Sequence, residues 1–548
     1  MVGLKPGREA GSAEIAGLRF FTAPAMALGY HDLTSISRMQ ACPMNLLVRL
    51  LLSGFLLVSA VAASPRGDGQ GIHWYPGSVD EAFAEARKEG KPVFLYWGAV
   101  WCPPCNQLKA TLFRNPAFVR KTRLFVPVYL DGDTEEAQKL GEKFGVLGYP
   151  TLILFTPEAE EITRLPGGMS MERYPEVLDL ALARVKPVAR LLHEILDEGR
   201  KPTAPELHLL AWYAWDLDRG KALGAREQVA VLARLVALTP DSLPREKARL
   251  NAAYLAALAN RPTPPSPAEQ ADAVKRLEAL MADTAGWRDN LGFFIYDLDT
   301  LIPRITDGGS PQRKELLAAW NRVLAGLQKD ESLGGAYGLL VYSGKLHWLK
   351  AAGKDIPASL QAEIRKAVEE ARARASTGHE RVAVSYAAYG ILKASGQLEL
   401  AERLVSEEMQ AGSNNQYWML VLADLAEESG NGEEALNWYA KAWENARGAA
   451  TRIQWGSYYI RQLTELTPDD DERIMNVSKA LFAELAKQKA PFHGRNRRAL
   501  ERVFKALNAW GQVSSPAELI ELKRAFVNTC LPFGKDAMER CEAIMKAS

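Results

Sequence analysis

Between Gly71 and Ala183 the apolar positions alternate between a helical rhythm and short continuous runs. Ser78 followed by Glu81 forms a capping box, and the apolar residues behind it recur at helical spacing until Gly90 stops them. "PVFLYW" from Pro92 is an unbroken apolar run that predicts a buried strand. A helix is expected from about Cys102 to Leu112, and Asn115 before Pro116 marks the cap and first turn of another. "LFVPVYLD", Leu124–Asp131, predicts the next strand; Pro127 has no N–H for a ladder, so that strand belongs near a sheet edge. A helix over about Thr134–Phe144 precedes "PTLILF" and "EITRL", a hairpin turning around Pro157–Glu160, and a helix over about Met171–Ala183 closes the region. The order β-α-β-α-β-β-α predicts an α/β domain on a central sheet, spanning 71–185.

Beyond Lys186 and Pro187 strand signals nearly vanish, and Ala, Leu, Glu, Lys and Arg recur at helical spacing to the end. "NRPTPPSP", Asn260–Pro267, is a proline-dense break, which divides this all-α region into a module at 188–260, a longer array at 267–513 and a closing hairpin at 514–548. "ASGQLELAERL" and "ESGNGEEALNW" superpose Gly396 on Gly430 and Ala401 on Ala435, a shift of 34 residues. That period resembles the tetratricopeptide family, with units near 382–449. Leu422, Ala423, Ala435, Tyr439 and Ala442 fit its packed positions, whereas Glu408 stands where a small residue is expected. Stacked hairpins of this kind bury their apolar faces against one another and leave a concave surface for a peptide or protein partner. The plainer reading is that the helices brace the other domain or a dimer.

The chain has 548 residues, which predicts three or four modules, and its 47% apolar and 24% charged residues are ordinary for a globular protein. With 67 basic against 66 acidic residues no overall field points to nucleic acid. The densest basic run, Arg495–Lys505, contains Glu501 and reads as a solvated helix face.

"MNLLVRLLLSGFLLVSAVAAS" begins at the internal Met44 and reads as a secretory signal over 44–63: Arg49 is the positive flank, Leu50–Val61 the apolar segment, and Ala60, Ala62 and Ala63 the small residues for cleavage. Translation is then expected to start at Met44 or Met39, which makes 1–43 an upstream extension foreign to the protein. The expected location is periplasmic or secreted, the alternative an inner-membrane anchor formed by an uncleaved signal. Cys42 is lost with the leader, which leaves Cys102, Cys105, Cys530 and Cys541 in a compartment where disulfides persist. Cys530 and Cys541, flanking a turn between the last two helices, read as a structural staple, or alternatively as an internal partner for the first pair.

Cys102 and Cys105 lie one helical turn apart, near enough to bond. At a helix N-terminus the unsatisfied N–H groups and the macrodipole favour the Cys102 thiolate, making it the nucleophile, while Cys105 inside the helix resolves the mixed disulfide. A zinc site and a permanent structural disulfide are the competing readings; no metal is expected, since no Cys or His partner stands near the pair.

"FLYWGAVWCPPC" followed by "FGVLGYPTLILF" resembles the thioredoxin family, with the Gly-Tyr-Pro-Thr stretch placing Pro150 45 residues after Cys105. The spacer "TLFRNPAFVRKTRLFVPVYLD" is similar to a bacterial subgroup that works outside the cytoplasm. The resemblance implies a thioredoxin fold followed by the helical array, with Cys102 and Cys105 catalytic, a redox-active disulfide and no other cofactor. It makes Pro150 a cis-proline facing them, which turns the Tyr149 backbone toward Cys102 where an extended substrate segment can pair, and puts Trp101 in the apolar rim; for Trp101 and Tyr149 the plainer reading is core packing. Tyr96 stands where the family carries a buried carboxylate, and Pro103 where it has glycine; together with Pro104 these tune the motif. The implied function is thiol–disulfide exchange on protein thiols and disulfides, fed by a membrane thiol–disulfide donor and aided by partner binding on the repeats. The alternative is a non-catalytic envelope scaffold with a vestigial thioredoxin-like module.

Overall fold

A computed structural model describes residues 71–165, 173–218, 220–412 and 415–547. The expected signal at 44–63 and the extension at 1–43 lie outside the described residues.

The first domain follows the predicted order. Helix α1 (Val79–Glu89) has the Ser78–Glu81 capping box, and Gly90 ends it at φ 64°, a conformation glycine adopts without a Cβ penalty. Strand β1 (Val93–Gly98) is buried along its whole length. Helix α2 (Pro103–Ala110) is shorter than expected, because the chain tightens into a 3-10 turn at Leu112–Arg114 before α3 (Pro116–Thr122). Then come β2 (Val126–Asp131), α4 (Glu135–Lys143), β3 (Thr151–Phe155), β4 (Glu161–Leu165) and α5 (Arg173–Leu182). The sheet order is β2-β1-β3-β4, with β1 parallel to β2 and antiparallel to β3. Strand β2 holds the edge, where the missing N–H of Pro127 breaks no ladder.

Every regular element described after α5 is helical. One apolar core runs from Ile72 in the α/β domain through Trp212, Leu255 and Phe294 to Val341, so the first helices pack directly on the sheet domain. Arg164 in β4 joins the two: it is buried, it donates to the carbonyls of Phe144 (2.8 Å) and Leu217 (2.9 Å), and its own carbonyl accepts from Ala214 N at 3.1 Å. Two further cores follow, from Ala336 to Trp455 and from Ala423 to Ile544. Helices Gly378–Ala394 and Leu398–Gln410 form one hairpin, Asn415–Glu428 and Gly432–Asn445 the next. Gly396 and Gly430, which the 34-residue shift superposes, share the left-handed conformation, with φ 74° and 75°. Glu408, out of place in the repeat pattern, is fully buried and takes hydrogen bonds from Arg372, Arg381 and Ser385. The last turn is tighter than expected: helix Pro516–Cys530 ends in a 3-10 turn, and Lys535–Met545 is already helical, so Cys541 lies within a helix.

Candidate active site

Strand β1 delivers the chain at Gly98 into the loop that carries Val100 and Trp101, and Cys102 caps α2. Pro103 and Pro104 occupy the first turn, where an N–H would find no helical partner. The first donor left is Cys105 N–H, and it points at Cys102 Sγ, 3.2 Å away. The two cysteines are bonded, with Cα atoms 5.2 Å apart. The Tyr149–Pro150 bond is cis, and the Tyr149 carbonyl oxygen lies 3.5 Å from Cys102 Sγ. Cys102, Cys105, Trp101, Tyr149 and Pro150 thus meet at one place.

Tyr96 is buried in an aromatic cluster, stacked on Trp74 (5.8 Å between centroids) and Tyr129 (5.3 Å) and edge-on to Phe113 (4.8 Å). Its ring is packed as core, where the family resemblance implied a carboxylate. One strand over, Asp131 pairs in register with Gly98; burial raises its carboxyl above the ordinary range against a hydrogen bond from Asp133 N–H.

The helical region covers this site. Cys102 is only 2% exposed and Cys105 not at all. Trp101 Nε1 donates to Thr451 Oγ1 at 2.8 Å, and the indole stacks on Tyr417 (5.9 Å, 10°) with Trp455 edge-on at 6.0 Å. The Arg495 guanidinium sits over both Trp101 (5.4 Å) and Tyr149 (5.3 Å). Thr451 Oγ1 also accepts from Arg495 Nη2 (2.7 Å) and donates to Asp133 Oδ2 (3.0 Å), while Thr451 N–H donates to Asp133 Oδ1 (2.7 Å). Gly448, at φ 99°, permits that approach, since a Cβ there would collide with the Asp133 carboxylate. His379, 273 residues from Asn106, places Nδ1 2.7 Å from its Oδ1, and Asn106 Nδ2 donates to the Cys102 carbonyl at 3.1 Å.

Thr451, Tyr417, Trp455 and His379 had no signal in the sequence, since each reaches the motif across hundreds of residues. Arg495 corrects an expectation. The run Arg495–Lys505 looked like a solvated face, yet Arg495 is 6% exposed and its helix, Gly494–Val513, packs on α4. Burial works against the Arg495 charge, but Tyr149 and Asp133 outweigh it and raise its pKa. Cys530 and Cys541 are bonded to each other, fully buried in the C-terminal core, and do not join the first pair.

The sequence profile of the thioredoxin-like domain matches residues 79–182. Among curated proteins, the thiol:disulfide interchange protein DsbD 1 of Pseudomonas aeruginosa is 31% identical over 88 residues, 16% of this chain and 15% of that protein. The protein disulfide-isomerase erp38 of Neurospora crassa is 27% identical over 124 residues, 22% of this chain and 32% of its own. The protein disulfide-isomerase tigA of Aspergillus niger is 32% identical over 130 residues, 23% and 33% respectively. The chain therefore spans a third or less of the length of these relatives. Among solved structures, a thioredoxin from Thermus thermophilus shares 29% identity, covering 20% of this chain and 88% of that one at a TM-score of 0.19. Residues 79–182 are a thioredoxin-like domain that carries a bonded Cys102–Cys105 pair and is followed by an all-helical region.

Proposed function

We propose that the protein is a thiol–disulfide oxidoreductase acting on protein disulfides outside the cytoplasm, and that its tetratricopeptide-like helices recruit or orient the partner. The observation that carries this reading is the seat of Cys102: it caps α2, receives the Cys105 N–H, and faces the carbonyl before a cis-proline. A helix N-terminus and a hydrogen-bond donor both favour thiolate over thiol. In the reduced protein the Cys102 thiolate attacks a substrate disulfide, a mixed disulfide forms, and the leaving thiolate takes a proton from water. Cys105 then attacks the Cys102 sulfur, the second substrate thiol leaves, and the protein's pair is oxidised by two electrons as the substrate gains them. A dithiol donor, in the cell envelope a membrane thiol–disulfide protein, returns the pair to the reduced state. The signal at 44–63 supports the location, and N-terminal sequencing of exported protein is expected to begin near Ala63 or Ser64.

Reduction of insulin disulfides tests the reading: Cys102→Ser abolishes turnover, and Cys105→Ser accumulates mixed disulfides. Full turnover by the Cys102→Ser protein overturns it. The second reading, a scaffold with a vestigial module, draws on the burial of the pair and on Tyr96 in the core. Alkylation across pH separates the two, because a Cys102 thiol titrating near the ordinary value of about 8.5 favours the scaffold.

A further inference from the structure

Helix Gly494–Val513 carries Arg495, Arg498 and Arg502, spaced three and four apart and so on one face. Arg495 spends Nη2 on Thr451 and on Asp133 (3.4 Å), while its buried Nε and Nη1 have no hydrogen-bond partner. Arg498 Nη2 donates to the Leu147 carbonyl at 3.2 Å, in the loop that leads to the cis-proline. Arg502 lies over the Tyr458 ring at 5.4 Å, and its Nε is buried without a partner. Among the described residues Asp133 is the one carboxylate that pairs with this row. Glu501 is engaged by Arg497 at 2.9 Å, and Glu142 by Arg540 at 2.7 Å and His493 at 2.9 Å. Burial lowers the Arg498 pKa, with the charges of Arg502 and Arg495 adding to the effect.

Three guanidinium groups, Arg495 buried and Arg498 and Arg502 half-buried, face the carboxylate of Asp133, with that of Asp131 also acting on Arg495, and keep an excess of positive charge. Such a place focuses field and attracts an anion. An unsatisfied buried donor is costly, and Arg495 Nε, Arg495 Nη1 and Arg502 Nε have no hydrogen-bond acceptor among the described residues, so an acceptor on a ligand would be favoured there. Guanidinium forms bidentate pairs with carboxylate and phosphate, and of the two it is carboxylate that a peptide disulfide ordinarily carries. Arg495 touches Trp101 and Tyr149, the two residues that border Cys102, so a ligand reaching the sulfur passes that charge.

Resting on the reading above, we propose that the row Arg495, Arg498 and Arg502 makes the site selective for carboxylate-bearing peptide disulfides. The carboxylates pair with the row while Cys102 attacks the disulfide. With glutathione disulfide as the probe, the first attack forms a Cys102–glutathione mixed disulfide and frees one glutathione thiolate, which takes a proton from water. Attack by Cys105 frees the second, and two electrons have passed from the protein dithiol to the disulfide. Dithiothreitol restores the dithiol.

The test compares three small disulfides with the full chain and dithiothreitol: anionic glutathione disulfide, neutral hydroxyethyl disulfide and cationic cystamine, each rate divided by its uncatalysed rate. Glutathione disulfide is expected to exceed cystamine by about tenfold or more, with the gap shrinking as salt is added. Arg498→Gln with Arg502→Gln lowers the glutathione-to-hydroxyethyl ratio by about tenfold, and the double lysine variant restores part of it. Equal normalised rates for the three disulfides in the wild-type chain overturn the proposal without recourse to any variant, as does an unchanged ratio in a folded double glutamine variant. If insulin is reduced and no charge preference appears, only this inference falls. If neither insulin nor any small disulfide is reduced, the oxidoreductase reading falls with it.

Discussion

The indole N–H of Trp101 donates to Thr451 Oγ1 at 2.8 Å across 350 residues of chain, and that bond pins the aromatic residue beside Cys102 to the helical region. Together with the Tyr417 stack and the Arg495 guanidinium it closes the site. A neutral hydrogen bond contributes about 1 kcal/mol, and an aromatic or cation–π pair about the same. The closed state is therefore favoured by a few such units, which a substrate of the proposed activity would have to displace. Thr451→Val removes the acceptor for Trp101 and Arg495 together. Iodoacetamide should then alkylate Cys102 of the reduced variant about tenfold faster than in the wild type, since each 1.4 kcal/mol is a factor of ten. An unchanged alkylation rate would show that Thr451 does not hold the site closed.

The fold of the first domain was legible because its signals are local. The Ser78–Glu81 capping box, the unbroken run of β1 and Pro127 on an edge strand each act within a few residues, and each stands where it was expected. So does the cysteine pair with the cis-proline opposite, whose two motifs are short and rigid. The cover could not be read. Thr451 and His379 are ordinary helix-terminal residues in the sequence, and only packing brings them to the motif. Arg495 departs from the sequence expectation for a related reason: charge in a helix normally faces water, and its burial is made tolerable by partners on other elements, the Asp133 carboxylate, the Thr451 hydroxyl and the Trp101 and Tyr149 rings.

Arg164 ties the sheet domain to the first helices. Its guanidinium, 1% exposed, bonds Glu161 through Nε (2.8 Å) and Nη2 (2.9 Å) besides the carbonyls of Phe144 and Leu217. Arg164→Met keeps the apolar stem and strands those acceptors. The expected cost is about 3 to 5 kcal/mol, the range for breaking one side of a buried pair. Urea unfolding reads it, and a loss below about 1 kcal/mol would mean the site relaxes or takes in water.

The Cys530–Cys541 bond closes a loop with a sequence separation of 11, and both sulfurs are fully buried beside Phe526 and Ile544. For a loop of that length the entropy removed from the unfolded chain corresponds to about 3 kcal/mol. The Cys530→Ala, Cys541→Ala double variant should lose roughly that in denaturant unfolding, with insulin reduction intact, as expected of a staple. A large loss of turnover at unchanged stability would instead make the second pair a relay for the first.

Glu427 gives the helical region a pH dependence of defined sign. Burial pushes its carboxyl up to about 7 from 4.5; the Tyr439 hydroxyl opposes the shift, and Asp424 and Glu465 add to it. Asp424 is itself held by Tyr389 and by Lys393 Nζ, the latter at 2.7 Å. The folded state binds the Glu427 proton more tightly than the unfolded chain does. Its contribution is therefore fully present below pH 4.5, declines as the pH rises, and is gone once the pH has passed about 7. Glu427→Gln has no proton to lose. Relative to the wild type it should be more stable at pH 8 by on the order of 2 kcal/mol and nearly equal at pH 4.5. Thermal or urea unfolding of both proteins across this interval measures the difference. A difference that stayed constant with pH would show that Glu427 titrates alike in the folded and unfolded chains.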